Sequence, residues 1–570
     1  MNYMTLKLKR IKAFKARPPE ETIQKIKAIL NGSGLHLIEK PVKGISFFKA
    51  SRLSIINPEN QQIIFSTCGK GTSAEWASAS AWGEMIERIQ NLAFYMIFIY
   101  PSRPESKNID NDEFNYFPDE KIFKMTPGVE SEFLKNCGII MGTDIYKIID
   151  NEHVIGVPFY DLFEEKTVYF PFRAMQVIVG SNGMCSGNNF EEALIQGICE
   201  VFERHILKMF YLAPFCPPDI PLRYFRDTEI GKIINQLSHE QGYIIRIKDC
   251  SLNKRYPVIG VLIRNNQNDY AFHLGADPCP ITALERCFTE MYQDGSICFK
   301  SMEELNNNLP CNLDTLFWKR NLSLTIKSYA GHWPPSIMQD RPAYAFNGFD
   351  HPESVSDHED LKYLLNILKN ENRKIYLRDN SFLGQSAFYI YIPGMSEITS
   401  FPDNYFSNAV LELDKYLPSL TNLKKSARHN RIKIIEILQK FIHIHPYAQS
   451  IIADYFRFNQ KHPVAHLSSE QLQTLIAFSI LKGELTDHFS VQEIEHYSFL
   501  NSIFLEKENF KPSEIFHKLN IPDCFDCIAC LYKTACNLQY IALFWERIKK
   551  QMKLYNYEQI SSLDPGNGWK

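Results

Sequence analysis

The stretch from Ser181 to His205, SNGMCSGNNFEEALIQGICEVFERH, sets carboxylates into what otherwise reads as an apolar helix. Glu192, Gln196, Glu200 and Glu203 recur at helical spacing, which stacks them on one face. Glu191 and Glu192 sit where the helix dipole favours acids, and Asn188 or Asn189 can cap the start; Glu200 and Glu203 lie too far along to benefit. Like charges along one stripe repel unless something positive lies against them, so the spacing points to one or more bound cations. Two further segments share the pattern: GEMIERIQN carries Glu84, Glu87 and Arg88, and ALERCFTEM carries Glu285, Arg286 and Glu290. Any one of these helices is read most simply as an exposed face with an i, i+3 or i+4 ion pair. Three together favour a different chemistry, in which carboxylates hold Mg²⁺, the metal bridges phosphate oxygens, and guanidinium forks grip the remaining oxygens.

The usual phosphate loop is missing. CGKGTS at residues 68–73 has Gly71 directly after Lys70, and no glycine stands five residues before Gly69, so it is not a Walker A sequence. An ATP site in this chain must be built from glutamates.

The elements that would position these residues follow from periodicity. GISFFKASRLSII and QQIIFST read as strands, and SAEWASASAWGEMIERIQNLAFYMIF as one long helix. VIGVPFYDLFEEKTVYFPF suggests a hairpin before the Ser181–His205 segment. GYIIRIKDCSL and YPVIGVLIRNN are further strands ahead of the helix ITALERCFTEMYQD, and RKIYLRDNS with AFYIYIPGM closes a strand pair. The expected fold is an α+β (mixed α/β) domain over residues 1–405, followed by an all-α C-terminal region over 406–570 that suits dimerisation or partner binding.

Composition narrows the function classes. The 570 residues are 45% hydrophobic and 22% charged, ordinary for a soluble protein, and the net charge of −3 gives no overall reason to bind nucleic acid or an anionic membrane. The basic start, LKLKRIKAFKAR, reads either as a solvated edge strand or as a phosphate-facing segment. No apolar run follows it as in a secretory signal, and LAFYMIFIY is too short to span a bilayer, so a cytoplasmic location is expected.

Taken in order, GKGTSAEWASASAWGEMIER, SNGMCSGNNFEEALIQGICEVFER, GADPCPITALERCFTEM and PGMSE resemble the YcaO-domain family, whose members use a glutamate-rich ATP site to activate amide bonds. The resemblance spans residues 69–397. It implies that Glu84, Glu87, Glu192, Gln196, Glu200 and Glu203 ligate Mg²⁺ directly or through water, and that Asn188, Arg204, Arg286 and Glu290 contact ATP or order the metal shell. It also implies a basic residue near the N-terminus, for which Lys15 or Arg17 matches best. Some members carry Ser after SNGM, where this chain has Cys185. The implied reaction is phosphorylation of an amide oxygen after a nucleophile has added to the carbonyl, giving an azoline or a thioamide from a peptide or protein substrate. The chain looks closest to the subgroup linked to β-methylthiolation of a ribosomal protein, which implies a partner modification enzyme. The alternative is an ATP-binding adaptor that presents a substrate to such a partner. No residue identifies itself as the general base.

Of fourteen cysteines, ten are scattered, as expected for reduced thiols. Cys524, Cys527, Cys530 and Cys536 instead crowd into CFDCIACLYKTAC, a spacing that suits an iron–sulfur cluster such as 4Fe–4S, or structural Zn²⁺. This quartet lies outside the family resemblance.

Overall fold

The computed structural model describes residues 9–10, 15–43, 47–58, 61, 63–93, 116–124, 153–172, 175, 179–308, 318, 321–322, 324–326, 329–397, 415–416, 419, 427–444 and 537–557. The Cys524–Cys536 quartet and most of the 406–570 region expected to be helical lie outside these residues.

Two residues, Lys9–Arg10 (β1), precede helix α1 (Pro19–Ser33). An antiparallel three-stranded sheet follows, formed by β2 (His36–Pro41), β3 (Lys49–Ile56) and β4 (Ile63–Gly71). Helix α2 (Ala74–Gln90) packs on that sheet. Its start is capped by Ser73, whose Oγ accepts from the Trp76 amide at 3.3 Å. Ala77, Ala81, Trp82, Met85, Ile86 and Ile89 give it a buried apolar face at helical spacing. The long helix expected from the sequence ends earlier than its apolar run, with Asn91 as its C-cap.

The second sheet contains six strands: β5 (Lys121–Lys124), β6 (His153–Asp161), β7 (Lys166–Pro171), β8 (Met184–Gly187), β13 (Tyr376–Asp379) and β14 (Ser386–Tyr391). β6 and β7 form the expected hairpin, while β13 and β14 pair antiparallel and bring the chain back beside β8. Helix α3 (Phe190–Leu212) leaves β8 after a short turn and packs over β8 and β14.

The third sheet is β9 (Ile244–Asp249), β10 (Val258–Arg264) and β11 (Tyr270–Ala276), all antiparallel. Helices α4 (Glu229–Gln241) and α5 (Pro280–Met291) cover one face of it through Ile234, Leu237, Leu284 and Phe288. Val258, Leu262, Phe272 and Leu274 on the other face join α3 in a common core. Helix α6 (Met302–Asn308), the short strand β12 (Glu353–Ser354) and helix α7 (Asp357–Asn370) follow in the chain; β12 pairs with β1 in parallel, and α7 packs against α3.

Two of the expected C-terminal helices are present, α8 (Arg428–Ile444) and α9 (Asn537–Leu554). The latter buries Phe544, Ile548 and Met552 in the same core as α1 and α2. Arg547 donates to the Ser33 carbonyl at 2.9 Å, and the Tyr555 hydroxyl donates to Asp379 at 2.6 Å.

Glycine allows two of the glutamate-bearing helices to lie close to their sheets. A Cβ on Gly69 in β4 would stand 2.0 Å from the Ala81 amide nitrogen and 2.1 Å from the Ala77 carbonyl of α2. On Gly275 in β11 it would stand 2.3 Å from the Ala283 carbonyl of α5. Backbone cannot yield as a flexible side chain can, so Gly69→Ala is expected to push α2 off its sheet and destabilise the protein by ~1–3 kcal/mol. Denaturant unfolding checks this, and a wild-type midpoint in the variant would contradict the close packing.

Candidate active site

Helices α2, α3 and α5 turn their acidic faces into one cavity of about 660 Å³. Its walls include Lys15, Glu84, Glu87, Asn188, Glu192, Gln196, Glu200, Glu203, Arg204, Arg286 and Glu290. The structure therefore gathers the sequence-derived site residues, which span 276 positions from Lys15 to Glu290 counted inclusively, into one place. Arg17 is the exception: it is exposed and pairs with Glu21 at 3.7 Å, so of the two N-terminal candidates Lys15 is the one on the cavity wall.

The carboxylate stripe on α3 is held apart by partners from elsewhere in the chain. At its start Asn189 is the cap, accepting from the Glu192 amide at 2.8 Å. Asn188 instead donates to the Glu192 carboxylate at 3.0 and 3.3 Å, while its own carbonyl accepts from Thr22 at 2.8 Å. The Ala16 amide donates to Glu192 at 3.1 Å, and Lys15 Nζ lies 4.0 Å from it. The N-terminal segment is thus tied to the first carboxylate of the stripe. Three turns on, the Tyr329 hydroxyl donates to Glu203 at 2.7 Å. Arg204 reaches the Ile326 carbonyl at 2.6 Å, with its guanidinium carbon 5.9 Å from the Tyr329 ring. Between these ends, the side chains of Gln196 and Glu200 make no hydrogen bond or ion pair among the described residues, and the same holds for Arg286 on α5.

On α2, Arg88 lies 3.4 Å from Glu84 and 3.5 Å from Glu87. Burial pushes the Glu87 carboxyl well above its ordinary value; Arg88 opposes this, while Glu200 and Glu84 add to it. Glu203 is raised in the same direction, first by burial and then by the neighbouring Glu290 charge. Glu290 behaves oppositely. Burial would raise it, but its ion pair with Lys70, aided by Arg286 and Arg204, holds it below the usual range.

Lys70, Tyr329 and His273 line the cavity but were not singled out in the sequence. Lys70 stood in view within CGKGTS, yet only the packing of β4 beside α5 shows that it faces Glu290. Tyr329 lies in a stretch with no motif. Cys185 is fully buried against Gly197 of α3 and its thiol is directed at the Phe388 carbonyl at 3.5 Å, so a hydroxyl at that position would meet the core; the cavity is lined instead by Ser186.

The donor set fits Mg²⁺ and a polyphosphate. Every acidic and amide group on the α2 and α3 faces offers hard oxygen, and Lys70, Arg204 and Arg286 supply positive charge on the same walls. Among the described residues no group of three His, Cys, Asp or Glu side chains is placed to hold a metal ion. Mg²⁺ does not need such a cage, since it is commonly held by one or two carboxylates together with waters and substrate phosphates. The Cys quartet lies outside the described residues.

A family profile described as YcaO cyclodehydratase, ATP- and Mg²⁺-binding, matches residues 68–396, more than half of the 570-residue chain. The chain belongs to the YcaO family. Among curated relatives, an uncharacterized protein of Haemophilus influenzae is 29% identical over 367 residues, covering 61% of this chain and 60% of that protein. The ribosomal protein S12 methylthiotransferase accessory factor YcaO of Escherichia coli is 29% identical over 359 residues, covering 60% of this chain and 59% of that one. The matches thus span about three fifths of each relative's length. Among solved structures, a YcaO from Methanopyrus kandleri bound with AMPPCP and Mg²⁺ aligns over 68% of this chain and 93% of its own, at 18% identity and a TM-score of 0.44. The YcaO profile covers all three glutamate helices and leaves out Lys15 and the Cys quartet. No helix among the described residues is long and apolar enough to cross a membrane.

The raised Glu87 carboxyl has a stability consequence. Its folded value lies above the unfolded value near 4.5, so the native state holds the extra proton between the two. Stability of the ligand-free protein should therefore rise as pH falls from the folded value toward 4.5, and the full penalty should apply above that window. Glu87→Gln is expected to raise the melting temperature at pH 8 by about 2 °C and to flatten this dependence. A lower melting temperature in the variant would show that the Arg88 pair outweighs burial.

Proposed function

We propose that this protein binds Mg·ATP on the glutamate faces of α2, α3 and α5 and uses it to activate an amide of a peptide or protein by O-phosphorylation. The observation that carries this reading is the convergence of Gln196, Glu200 and Arg286, three polar side chains that make no hydrogen bond or ion pair among the described residues, on a cavity whose other carboxylates are already arranged around it. In this reading Glu84, Glu87, Glu192, Gln196, Glu200 and Glu203 hold Mg²⁺ directly or through water. Asn188, Arg204, Arg286 and Glu290 contact ATP or order those groups, with Lys15 closing the site from the N-terminal segment. Bound Mg²⁺ would neutralise phosphate charge and orient the γ-phosphoryl group.

The protein's own residues supply position and charge. Arg204 on α3 and Arg286 on α5 both line the cavity, so two guanidinium groups are available to phosphate oxygens there. A nucleophile adding to the amide carbon turns the carbonyl into an alkoxide, which attacks the γ-phosphorus while ADP departs. Loss of phosphate then removes the original amide oxygen. A neighbouring Cys, Ser or Thr of the substrate gives an azoline, and sulfide gives a thioamide.

The adaptor reading stays in play because the E. coli relative is named an accessory factor. In that reading the same site supports methylthiolation of a ribosomal protein by a partner enzyme. We place the catalytic unit in residues 1–405 and assign 406–570 to partner or dimer contacts, with the Cys524, Cys527, Cys530 and Cys536 quartet holding an iron–sulfur cluster or Zn²⁺. Metal analysis of anaerobically purified wild type and Cys527→Ala tests the quartet: metal in the first and its loss in the second is expected, and a metal-free wild type would refute it.

Glu200→Ala and Glu203→Ala should each weaken Mg·ATP binding by about 100-fold or more, a loss of about 2.7 kcal/mol, while the far-ultraviolet circular dichroism stays unchanged. Calorimetric titration measures this, and wild-type affinity in both variants would sink the assignment. Phosphate release by the wild type separates the enzyme from the adaptor.

A further inference from the structure

The Mg·ATP reading assigns no task to His273, an imidazole on the cavity wall. His273 is on β11, 7% exposed, and lines the cavity beside the Glu203 end of the stripe. Its ring stacks on Tyr329 with centroids 4.1 Å apart and planes 9° from parallel, and Tyr329 is itself fixed by its bond to Glu203. The imidazole is therefore held in one orientation relative to the carboxylate stripe. Its Nδ1 is enclosed and bonds to nothing among the described residues, which leaves Nε2 as the ring nitrogen on the cavity side. Buried polar groups are ordinarily satisfied within the protein, so an imidazole locked by stacking but used by no hydrogen bond among the described residues points to a ligand or a reacting proton.

The other acids at this end are already engaged. Glu203 accepts from Tyr329 and Glu290 pairs with Lys70, while Glu84 and Glu87 face Arg88. A carboxylate occupied in neutralising cations is a weak proton acceptor, whereas a neutral imidazole can take a proton without first releasing a metal or an arginine. Burial, reinforced by Lys300 and Lys70, disfavours the protonated ring, so His273 starts neutral and takes a proton only once the phosphate charge of bound ATP offsets those lysines.

We propose that His273 is the proton-accepting residue of this site, taking the proton from the nucleophile as it adds to the substrate amide. The bond from the nucleophile to carbon forms, the carbonyl π pair moves onto oxygen, and the bond from the nucleophile to hydrogen breaks with its proton passing to His273 Nε2. The oxygen is then free to attack the γ-phosphorus of ATP. Without a peptide, water attacking the γ-phosphorus gives its proton to the same nitrogen. This inference rests on the Mg·ATP reading of the cavity and adds the base which that reading lacks.

Two measurements on the full chain test it. The first is labelling by diethyl pyrocarbonate, which acylates accessible neutral imidazoles. His273 should be modified in the free protein and protected by Mg·AMPPCP, as read by peptide mass spectrometry. The second compares wild type, His273→Ala and His273→Gln for Mg·ATP binding and phosphate release. Binding should stay within about threefold while release falls by about 100-fold in both variants, and imidazole added to His273→Ala should restore part of the rate. Wild-type release rates in the variants, loss of nucleotide binding along with release, or a rate insensitive to imidazole would overturn the proposal. Failure of the wild type to bind Mg·ATP would instead bring down the functional reading, and this inference with it. Binding of Mg·ATP by the wild type without phosphate release, or a His273 that is unreactive to the label in the free protein, would also overturn it.

Discussion

The structure depends on one electrostatic constraint: several carboxylates must share a partly closed cavity without driving the surrounding helices apart. Glu87 and Glu203 are almost wholly enclosed, and enclosure favours their protonated forms. The protein moderates the repulsion locally. Arg88 serves α2, Lys70 serves Glu290, and Asn188 with the Ala16 amide serves Glu192. Such neutralisation is incomplete at the middle of the stripe, where Gln196 and Glu200 face the cavity with no hydrogen bond or ion pair among the described residues. A fold selected only for stability would gain by replacing such groups with apolar ones. Their retention is intelligible if a cation and an anion occupy the space between the helices.

The scaffold serves that arrangement through close backbone contact. Each glutamate helix packs against a strand of its own: α2 on β4, α3 on β8 and α5 on β11. Glycines at Gly69 and Gly275 bring two of these pairs within side-chain-free distance, which fixes how far each acidic face projects into the cavity. The N-terminal segment and the C-terminal helix α9 both close on this body. Lys15 and Ala16 reach Glu192, and α9 completes the core beneath α1 and α2.

Much of this was legible in the sequence because it is local. Helical spacing alone places Glu192, Gln196, Glu200 and Glu203 on one face, and alternation finds β3, β4, the β6–β7 hairpin and the β13–β14 pair. Strand β11 passed unnoticed because all seven of its residues are buried, leaving no alternation to read. Long-range chemistry was also hidden. Lys70 and Glu290 lie 220 positions apart, and nothing in either segment announces their pairing. Tyr329 and His273 acquire meaning only when a loop residue stacks on a strand residue. At Cys185, where some members of the family carry Ser, packing places the thiol in the core.

In the proposed function the glutamate cavity takes ATP as its magnesium complex. Calorimetric titration of ATP into the anaerobically purified protein, once with millimolar Mg²⁺ and once with excess EDTA, tests it most directly. Saturable binding that appears only with Mg²⁺ is the predicted result, because the free nucleotide would set its own negative charges against the carboxylates of the cavity. Equal binding with EDTA, or no binding in either solution, would contradict it.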